Sequence, residues 1–534
     1  MSIDLLFEEL NRPGSPGISV GLFHKGHGVC LRGYGSADLE HSAPISPDTV
    51  FHVASVSKQF TAFAIAMLAR DGALALRDDI RKFLPFVPDF GRVITVQHLV
   101  HHTSGLRDQW SLLGLGGQDI DNRLRQQQVL NLVARQQALN FEPGSDHLYS
   151  NTGYTLLAEI VRVTSGRTLR QFTTERMFAP LGMTHTFFYD DISEVVPGRA
   201  HSYTKSKEGG WRRALLNYET VGATSLLTTS EDLLKWAANF SRPRVGDADL
   251  IREIGERGML DDGTQINYAF GLMRSSHAGR NALLHFGGDA AFRALFAYFP
   301  ADDFAVALLA NHVVEDWDKL INGLVDLYLK PTEERANDYR PATISPSEAL
   351  LNELPGCYLN DFEPAIRIER ESESLYWTAA GGERRLVTFR ADGTFDLGAG
   401  PRCWSYYRPC RDAPGRIVGF EDVAGRIPAT TLPRRRIEPL SPTSAQLMEL
   451  EGDYRSAELD ITYTLAVDGR RLTARSVWSG QPVVFTPSSP DRFDAEPFWM
   501  NIIEIVRDAR GSPKGLRVHG NRMRNVWFEK VLAS

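Results

Sequence analysis

Cysteine is scarce in this sequence of 534 residues, which contains four: Cys30, Cys357, Cys403 and Cys410. Four thiols are too few for a disulfide framework, and they lack the paired spacing of a zinc site. We therefore expect reduced thiols, and the sequence implies neither a metal nor a cofactor.

Long apolar runs and a basic excess are also lacking. No stretch approaches eighteen uninterrupted apolar residues, and residues 1–17 contain acidic side chains but no central apolar segment of the signal-peptide kind. We therefore expect a soluble, cytoplasmic protein that does not enter a membrane. The formal net charge of −7 is not that of a typical nucleic-acid-binding protein.

What the sequence does contain is a Ser-x-x-Lys motif, at Ser55 and Lys58, that opens a helical pattern. Apolar and small residues fill every face of that pattern, which predicts a helix over 59–68 buried nearly all round. Ser55 is then at or just before the first turn, and Lys58 is about one turn away on the same face. A serine hydroxyl needs an adjacent base to become a nucleophile, and a lysine can be that base when burial lowers its pKa. Taken alone, the motif is more commonly a solvated lysine beside a serine cap.

A second motif, Tyr-Ser-Asn, begins at Tyr149 in a turn-rich loop that leads into a helical pattern over 156–163. A phenol beside an ammonium can share its proton, so Tyr149 can shuttle a proton from Ser55 to a leaving group. Asn151, two residues on, offers an amide donor and an acceptor. Taken alone, Tyr149 is more commonly a packing residue with a hydrogen-bonded tip.

The third motif, His-Phe-Gly-Gly, begins at His285 and precedes a strand-like run over 292–299, so it is expected on or beside a sheet. Glycines inside a strand mark a bulge or the close approach of another backbone, and we interpret that backbone as a substrate. A core histidine followed by a bend is the alternative.

Together the three motifs resemble those of the serine beta-lactamase and penicillin-binding-protein superfamily, in the branch that joins carboxypeptidases, esterases and D-aminopeptidases. The resemblance covers roughly residues 10 to 330 and includes the segments 51–61, 102–106, 222–223 and 229–233. Bacterial D-aminopeptidases are the nearest likeness, because they share a similar chain length and the segments 57–61, 104–110 and 141–145.

This resemblance implies that Ser55 is the acylated nucleophile and that Lys58 and Tyr149 manage the proton, with the identity of the base left open. It also implies that the backbone N–H groups of Ser55 and Gly288 form the oxyanion hole, in which one donor is worth about a hundredfold to a thousandfold in rate. His285 is the fourth catalytic candidate, at the position where many penicillin-recognising relatives have the lysine of Lys-Thr-Gly.

The replacement of that lysine by histidine bears on the substrate. A histidine with an ordinary pKa of about 6.5 is mostly neutral where a lysine is charged, so a permanent anchor for a substrate carboxylate is missing. We therefore expect amides or esters without a carboxylate beside the scissile bond. The substrate-binding candidates are Asn151, Gly287 and, as rim residues, Asp108 and Trp110.

The expected fold class is α/β (α+β), with an antiparallel sheet and a mostly helical lobe. Strand-like segments at 17–22 and 28–34 form an N-terminal hairpin, and further strands near 283–310 complete the sheet. A beta-lactamase-like catalytic domain would then span residues 1–335, with Ser55 at the junction of sheet and helices.

A polar, proline-bounded linker over 332–341 ends this domain, and the rest of the chain repeats itself. Gly356 and Gly452, like Arg411 and Arg507, occupy matching motifs 96 residues apart. We therefore predict two copies of one small antiparallel β-barrel, over 345–438 and 446–534, as D-aminopeptidase-like proteins have.

In such proteins the resemblance implies that a loop of the last barrel reaches the active site and selects an amino terminus. The candidate here is the segment 493–499, which looks shorter than that loop and offers Asp494 or Glu496 to an ammonium. A solvated turn is the commoner explanation.

The leading functional hypothesis is a serine hydrolase that forms an acyl-enzyme on small amide, peptide or ester substrates, with D-amino acid amides or short peptides first. The alternatives are a carboxylesterase of the same fold, a penicillin-binding-type protein that deacylates slowly, and an apolar-ligand carrier built on the barrels. The expected partners are a small-molecule or short-peptide substrate and a second copy of the chain, with no nucleic acid and no membrane.

Overall fold

The computed structural model describes residues 2–119, 122–331, 342–380, 382–397, 406–423, 433–438, 440, 442–478 and 480–531. The predicted linker 332–341 and Cys403 lie outside these residues. Three parts follow one another along the chain: a sheet flanked by helices, a ten-stranded sheet and a closed barrel.

A six-stranded antiparallel sheet forms the middle of the first part. Its N-terminal hairpin turns at Lys25 and Gly26, whose φ angles of 50° and 91° suit the tight turn that joins twisted strands. His285 lies on one of its strands, as predicted. The strands pair in the order Met273–His277, Arg280–Asp289, Phe292–Phe299, Phe304–Ala310, Ile18–His24 and His27–Tyr34.

The helix predicted after Ser55 runs over Lys58–Arg70 and is buried on all sides as far as Leu68. It packs against the helix Asn151–Ser165, which begins earlier than its apolar pattern. The other helices of this part are Ile3–Leu6, Val96–Val100, Gln109–Leu115, Gln126–Arg135, Leu169–Thr173, Ala179–Leu181, Ser230–Ser241, Ala248–Ile254 and Trp317–Tyr328. Across the described ranges, no helix is long and apolar enough to cross a bilayer.

The first repeat unit is a curled antiparallel sheet. In the residues described here its edge strands do not pair with each other, so it stays open where a barrel closes. Both edge strands are two residues long and exposed, which leaves little backbone for closure. The strands pair in the order Thr343–Ile344, Thr388–Arg390, Phe395–Asp396, Tyr407–Arg411, Ile417–Asp422, Arg434–Ile437, Gly356–Leu359, Ile366–Glu371, Ser374–Ala379 and Arg385–Leu386.

The second repeat unit is a closed antiparallel barrel, as predicted, and it has eight strands. Its strands are Gly452–Ser456, Ile461–Asp468, Arg471–Ser476, Val483–Ser489, Arg492–Asp494, Ile502–Arg507, Pro513–Gly520 and Met523–Lys530. The repeat also extends to side-chain contacts. The Tyr358 hydroxyl donates to the Leu354 carbonyl at 2.7 Å, and Tyr454 donates to Leu450 at 2.9 Å, 96 residues further on.

The barrel packs directly on the first part of the chain. Its interior side chains and those of the helices Gln109–Leu115 and Gln126–Arg135 form one hydrophobic cluster. Inside this contact Arg107, 1% exposed, forms an ion pair with Glu458, in which Nη1 donates to the two carboxylate oxygens at 2.6 and 2.8 Å. The barrel is therefore held close to the segment that follows Arg107.

Candidate active site

Ser55 is presented by a tight turn in front of the buried helix. It lies in the 3-10 turn Ala54–Ser57, and it is the one residue between positions 51 and 68 that is not buried. Ala54 has a φ of 47°, a left-handed conformation that costs an ordinary residue about 1–3 kcal/mol and that clusters at functional sites. The nucleophile candidate is thus the partly accessible residue of an otherwise buried segment.

Lys58 is completely buried, and its ammonium nitrogen has three oxygen neighbours. Nζ lies 3.0 Å from Ser55 Oγ, 2.8 Å from Asn151 Oδ1 and 2.7 Å from the carbonyl oxygen of Ala223. The last two oxygens can only accept, so they occupy the two N–H bonds of a neutral amine. The remaining lone pair of that amine then faces the Ser55 hydroxyl, which is the geometry of a general base.

Asp108 fixes the orientation of the Asn151 amide. Asp108 Oδ2 accepts the Asn151 side-chain amide at 2.8 Å and its backbone N–H at 2.7 Å. Because a carboxylate oxygen only accepts, the NH₂ group of Asn151 must face Asp108 and its oxygen must face Lys58. Asp108 thus acts on Lys58 through Asn151.

Electrostatics also favours a neutral Lys58. The pKa of Lys58 is lowered from 10.5 to about 7. Burial is the main cause, and the positive charge of Arg522 acts in the same direction, whereas the carboxylates of Asp289 and Asp108 oppose the shift. His102 also faces Lys58, and burial keeps its own pKa well below 6.5, so it adds no positive charge near neutral pH. A lysine with such a lowered pKa carries the free amine far more often near neutral pH than an ordinary lysine, which is almost wholly protonated there.

Tyr149 lies between charged and aromatic groups from three parts of the fold. Lys58 Nζ is 4.8 Å from the centre of its ring, and the Arg522 guanidinium carbon is 4.7 Å from the same centre. The ring of His102 packs on it at 4.2 Å between centroids. Tyr149 is therefore beside the Ser55–Lys58 pair, and the part that its hydroxyl plays in proton transfer stays a prediction.

His285 lies deeper, at 2% exposure, with its ring 6.1 Å from that of Tyr149. Its Nδ1 is 2.6 Å from the carbonyl oxygen of Phe286, which only accepts, so Nδ1 carries a proton. Its Nε2 is 3.1 Å from the Tyr268 hydroxyl. Both ring nitrogens thus have protein partners, and a direct catalytic role for His285 stays a prediction.

The two glycines after His285 were predicted to contact the substrate and the oxyanion. A Cβ on Gly287 would lie 2.1 Å from the carbonyl oxygen of Val53, so the approaching backbone is the protein's own turn before Ser55. The close approach predicted at Gly287 is thus made by Val53, and a contact of Gly287 with a substrate stays a prediction. Gly288 pairs with Arg293 on the next strand, and its place in the oxyanion hole stays a prediction.

The structure corrects the predicted position of Asp108. It is 1% exposed and caps the helix Gln109–Leu115 by accepting the N–H of Trp110 at 3.0 Å, so it lies under the site and not on its rim. Trp110 is partly buried and packs on Tyr218 at 4.7 Å between ring centroids, and its contact with a substrate stays a prediction.

In the barrel segment 493–499, Asp494 does not bring its carboxylate to the site. Asp494 is 1% exposed, pairs with Arg492 at 3.1 Å and accepts the N–H of Ala365 at 2.7 Å, so it joins the two repeat units. Glu496 is exposed. The barrel residue that reaches Tyr149 is Arg522, from a turn that the sequence analysis did not single out.

His102 was also missed as a site residue, although its motif belonged to the resemblance. Its Nδ1 accepts the N–H of Ser150 at 3.1 Å, next to the tyrosine on which its ring packs. The histidine in the segment 102–106 was visible in the sequence, but its ring contact is with Tyr149, 47 residues further along the chain. His102 thus positions the loop that carries Tyr149.

This architecture, a serine at the mouth of a buried helix between a helical lobe and an antiparallel sheet, is that of the beta-lactamase fold. The sequence profile of the Beta-lactamase family matches residues 3–328. The chain therefore belongs to the Beta-lactamase family.

Curated relatives of similar sequence are D-aminopeptidases. That of Gluconobacter oxydans is 27% identical over 303 residues, 56% of each chain, and that of Cereibacter sphaeroides is 30% identical over 301 residues, 56% of this chain and 57% of the relative. The chain thus matches somewhat more than half the length of these relatives.

Solved structures with the same fold include two of particular interest. The octameric penicillin-binding protein homologue from Pyrococcus abyssi covers 82% of this chain and 100% of its own, at 21% identity and a TM-score of 0.57. The D-amino acid amidase from Ochrobactrum anthropi SV3, in complex with L-phenylalanine amide, covers 61% of this chain and 98% of its own, at 22% identity and a TM-score of 0.53. At these identities the likeness concerns the fold.

Proposed function

We propose that the protein is a serine hydrolase that cleaves small amides and short peptides through an acyl-enzyme on Ser55, with D-amino acid amides and peptides as its first substrate class. The observation that carries the proposal is the environment of the buried amine of Lys58. Its nitrogen lies within hydrogen-bond distance of Asn151 Oδ1 and the Ala223 carbonyl oxygen, and its third neighbour is Ser55 Oγ. The D-aminopeptidase names of the curated relatives support the choice of substrate class.

Acylation begins when neutral Lys58 takes the hydroxyl proton of Ser55 and Oγ attacks the carbonyl carbon of the substrate. The developing oxyanion is stabilised by backbone N–H groups, for which those of Ser55 and Gly288 are the candidates. The C–N bond then breaks, and the proton held by Lys58 passes, through Tyr149, to the departing nitrogen. The products of this half are the ester on Ser55 and a free amine.

Deacylation repeats these steps with water as the nucleophile. The neutral amine of Lys58 takes a proton from the water, the hydroxide adds to the ester carbonyl, and the bond to Oγ breaks. The proton returns to Oγ, which restores Ser55 and releases the carboxylic acid. Amide and ester substrates share this route and differ only in the leaving group.

The test compares wild-type protein with Ser55→Ala on D- and L-amino acid anilides and on acyl esters. We expect kcat/KM to favour D-amino acid anilides, and the substitution to abolish both turnover and labelling by a fluorophosphonate. Ser57→Ala is the matched control, because Ser57 Oγ accepts the N–H of Leu226 at 3.0 Å and serves packing. We expect it to keep the label on Ser55.

Three outcomes would contradict the proposal. Fluorophosphonate labelling at a serine other than Ser55 would show that Ser55 is not the nucleophile. Turnover confined to esters would favour the carboxylesterase alternative. An adduct that persists for hours after brief beta-lactam exposure, with no amide turnover, would favour a penicillin-binding-type protein.

The cytoplasmic location and the homodimer suggested by the sequence stay predictions. Cell fractionation and light scattering on the purified protein would test them separately.

A further inference from the structure

Arg522 brings a permanent positive charge from the barrel to the catalytic centre. It lies in the turn between the strands Pro513–Gly520 and Met523–Lys530, half-buried, with its guanidinium 4.7 Å from the centre of the Tyr149 ring. Lys58 Nζ lies 4.8 Å from the same centre. The guanidinium therefore borders the place where a substrate must sit to meet Ser55.

The turn that carries Arg522 is held by the first part of the chain. The carbonyl oxygen of Arg522 accepts the N–H of Asp108 at 3.1 Å and the side-chain amide of Asn140 at 3.2 Å. The preceding residue, Asn521, donates its backbone N–H to the carbonyl oxygen of Phe498 at 2.7 Å. Because its backbone is fixed before any ligand arrives, binding at Arg522 does not require the turn itself to become ordered.

The charge on Arg522 has no carboxylate partner within the described ranges, unlike other arginines at this interface. Arg107 pairs with Glu458, and Arg524 pairs with Asp146 at 3.3 Å. The carboxylate of Asp108, close in space, is already occupied by N–H groups on both oxygens. A guanidinium fork is well suited to bind a carboxylate through two parallel hydrogen bonds.

We propose that Arg522 determines specificity by binding a carboxylate on the leaving group of the substrate. The inference rests on the proposed function, in which Tyr149 delivers the proton to the departing nitrogen, since Arg522 contacts Tyr149. The preferred substrates are then short peptides that end one residue after the scissile bond, so that a free amino acid is released. The barrel supplies the anchor that the sequence analysis judged to be missing.

The experiment uses the full chain and two substrates that differ only in charge, D-alanyl-D-alanine and D-alanyl-D-alaninamide, with product release followed by mass spectrometry. We expect Arg522→Gln to lower kcat/KM for the carboxylate substrate about tenfold to a hundredfold, chiefly through KM, as loss of a charged hydrogen bond predicts. At a pH above the acidic limb of both proteins, where Lys58 is neutral in each, kcat/KM for the amide substrate should change less than threefold. Arg522→Lys should fall between, because an ammonium keeps the charge and loses the fork.

Arg510→Gln is the matched control, since Arg510 is exposed in the turn at the opposite end of the strand Pro513–Gly520. This substitution removes the same charge from the same barrel and should leave kcat/KM unchanged for both substrates. If Arg522→Gln lowers kcat/KM equally for both substrates, or does not lower it for the carboxylate substrate, the proposal is overturned.

A second measurement does not depend on turnover. N-acetyl-D-alanine should slow fluorophosphonate labelling of Ser55 in the wild type more than N-acetyl-D-alaninamide does, and Arg522→Gln should remove the difference. Equal protection by both compounds in the wild type would refute the anion site even if amides are hydrolysed. Selective protection without amide hydrolysis would leave the anion site standing and refute the proposed function instead.

Discussion

Asp108 Oδ2 accepts two hydrogen bonds from Asn151, one from its backbone N–H and one from its side-chain amide, at 2.7 and 2.8 Å. This pair determines which end of the Asn151 amide faces Lys58. The same contact places the buried negative charge of Asp108 close to the amine of Lys58, with only the side chain of Asn151 between them. Asp108 is thus a positioning residue whose substitution should change both the rate and its pH dependence.

We predict that Asp108→Asn lowers kcat about tenfold and moves the acidic limb of the kcat/KM profile to lower pH. The rate falls because the new amide has one acceptor oxygen for three N–H donors, so Asn151 is held less firmly. The limb moves because the Asp108 carboxylate raises the pKa of Lys58, and neutralising it lowers that pKa below about 7. If activity falls but the acidic limb of the kcat/KM profile stays at the same pH, Asp108 only supports the fold.

The opposite shift is expected for Arg522. Its positive charge lowers the pKa of Lys58, so Arg522→Gln should raise that pKa and move the acidic limb to higher pH. The profile should be measured with a neutral anilide, on which the proposed carboxylate contact has no influence. A limb that stays in place, or moves down, would show that the Arg522 charge does not act on Lys58.

The Arg107–Glu458 pair should contribute strongly to holding the barrel in place. Arg107→Ala leaves a buried carboxylate without its partner and frees two carbonyl oxygens, those of Arg524 and Asn525, which the guanidinium binds at 3.0 and 2.9 Å. We predict a loss of about 3–5 kcal/mol in unfolding free energy, measured by urea denaturation. Activity should fall with it, because Arg522 depends on the same interface.

The exposed pair Arg455–Asp460 provides the control for that experiment, since Arg455→Ala should cost no more than about 1 kcal/mol. The double substitution Arg107→Met with Glu458→Leu should cost less than Arg107→Ala alone, because no unpaired charge remains. Equal costs for the buried and exposed pairs would contradict the role given to Arg107.

The parts of the site that the sequence could predict are those fixed locally. Ser55 and Lys58 are three residues apart at a helix start, so their contact follows from helical geometry. Asp108 was misjudged although its position before a helix resembles an N-cap, which the pattern rules can recognise. Arg522 could not be predicted, because its approach to Tyr149 depends on how the barrel docks, and no local pattern encodes that.

Gly287 gives a final test of how the sheet supports the nucleophile. Its missing Cβ makes room for the carbonyl oxygen of Val53, two residues before Ser55, and an added methyl would lie 2.1 Å from that oxygen. We predict that Gly287→Ala displaces the turn and lowers kcat/KM at least a hundredfold, with a loss of about 1–3 kcal/mol in unfolding free energy. Gly28→Ala, in the same sheet but with its nearest neighbour at 3.4 Å, should leave kcat/KM within about twofold, since an added methyl there meets only ordinary contacts. If both substitutions affect kcat/KM equally, the close approach of Val53 and Gly287 is not what holds Ser55 in position.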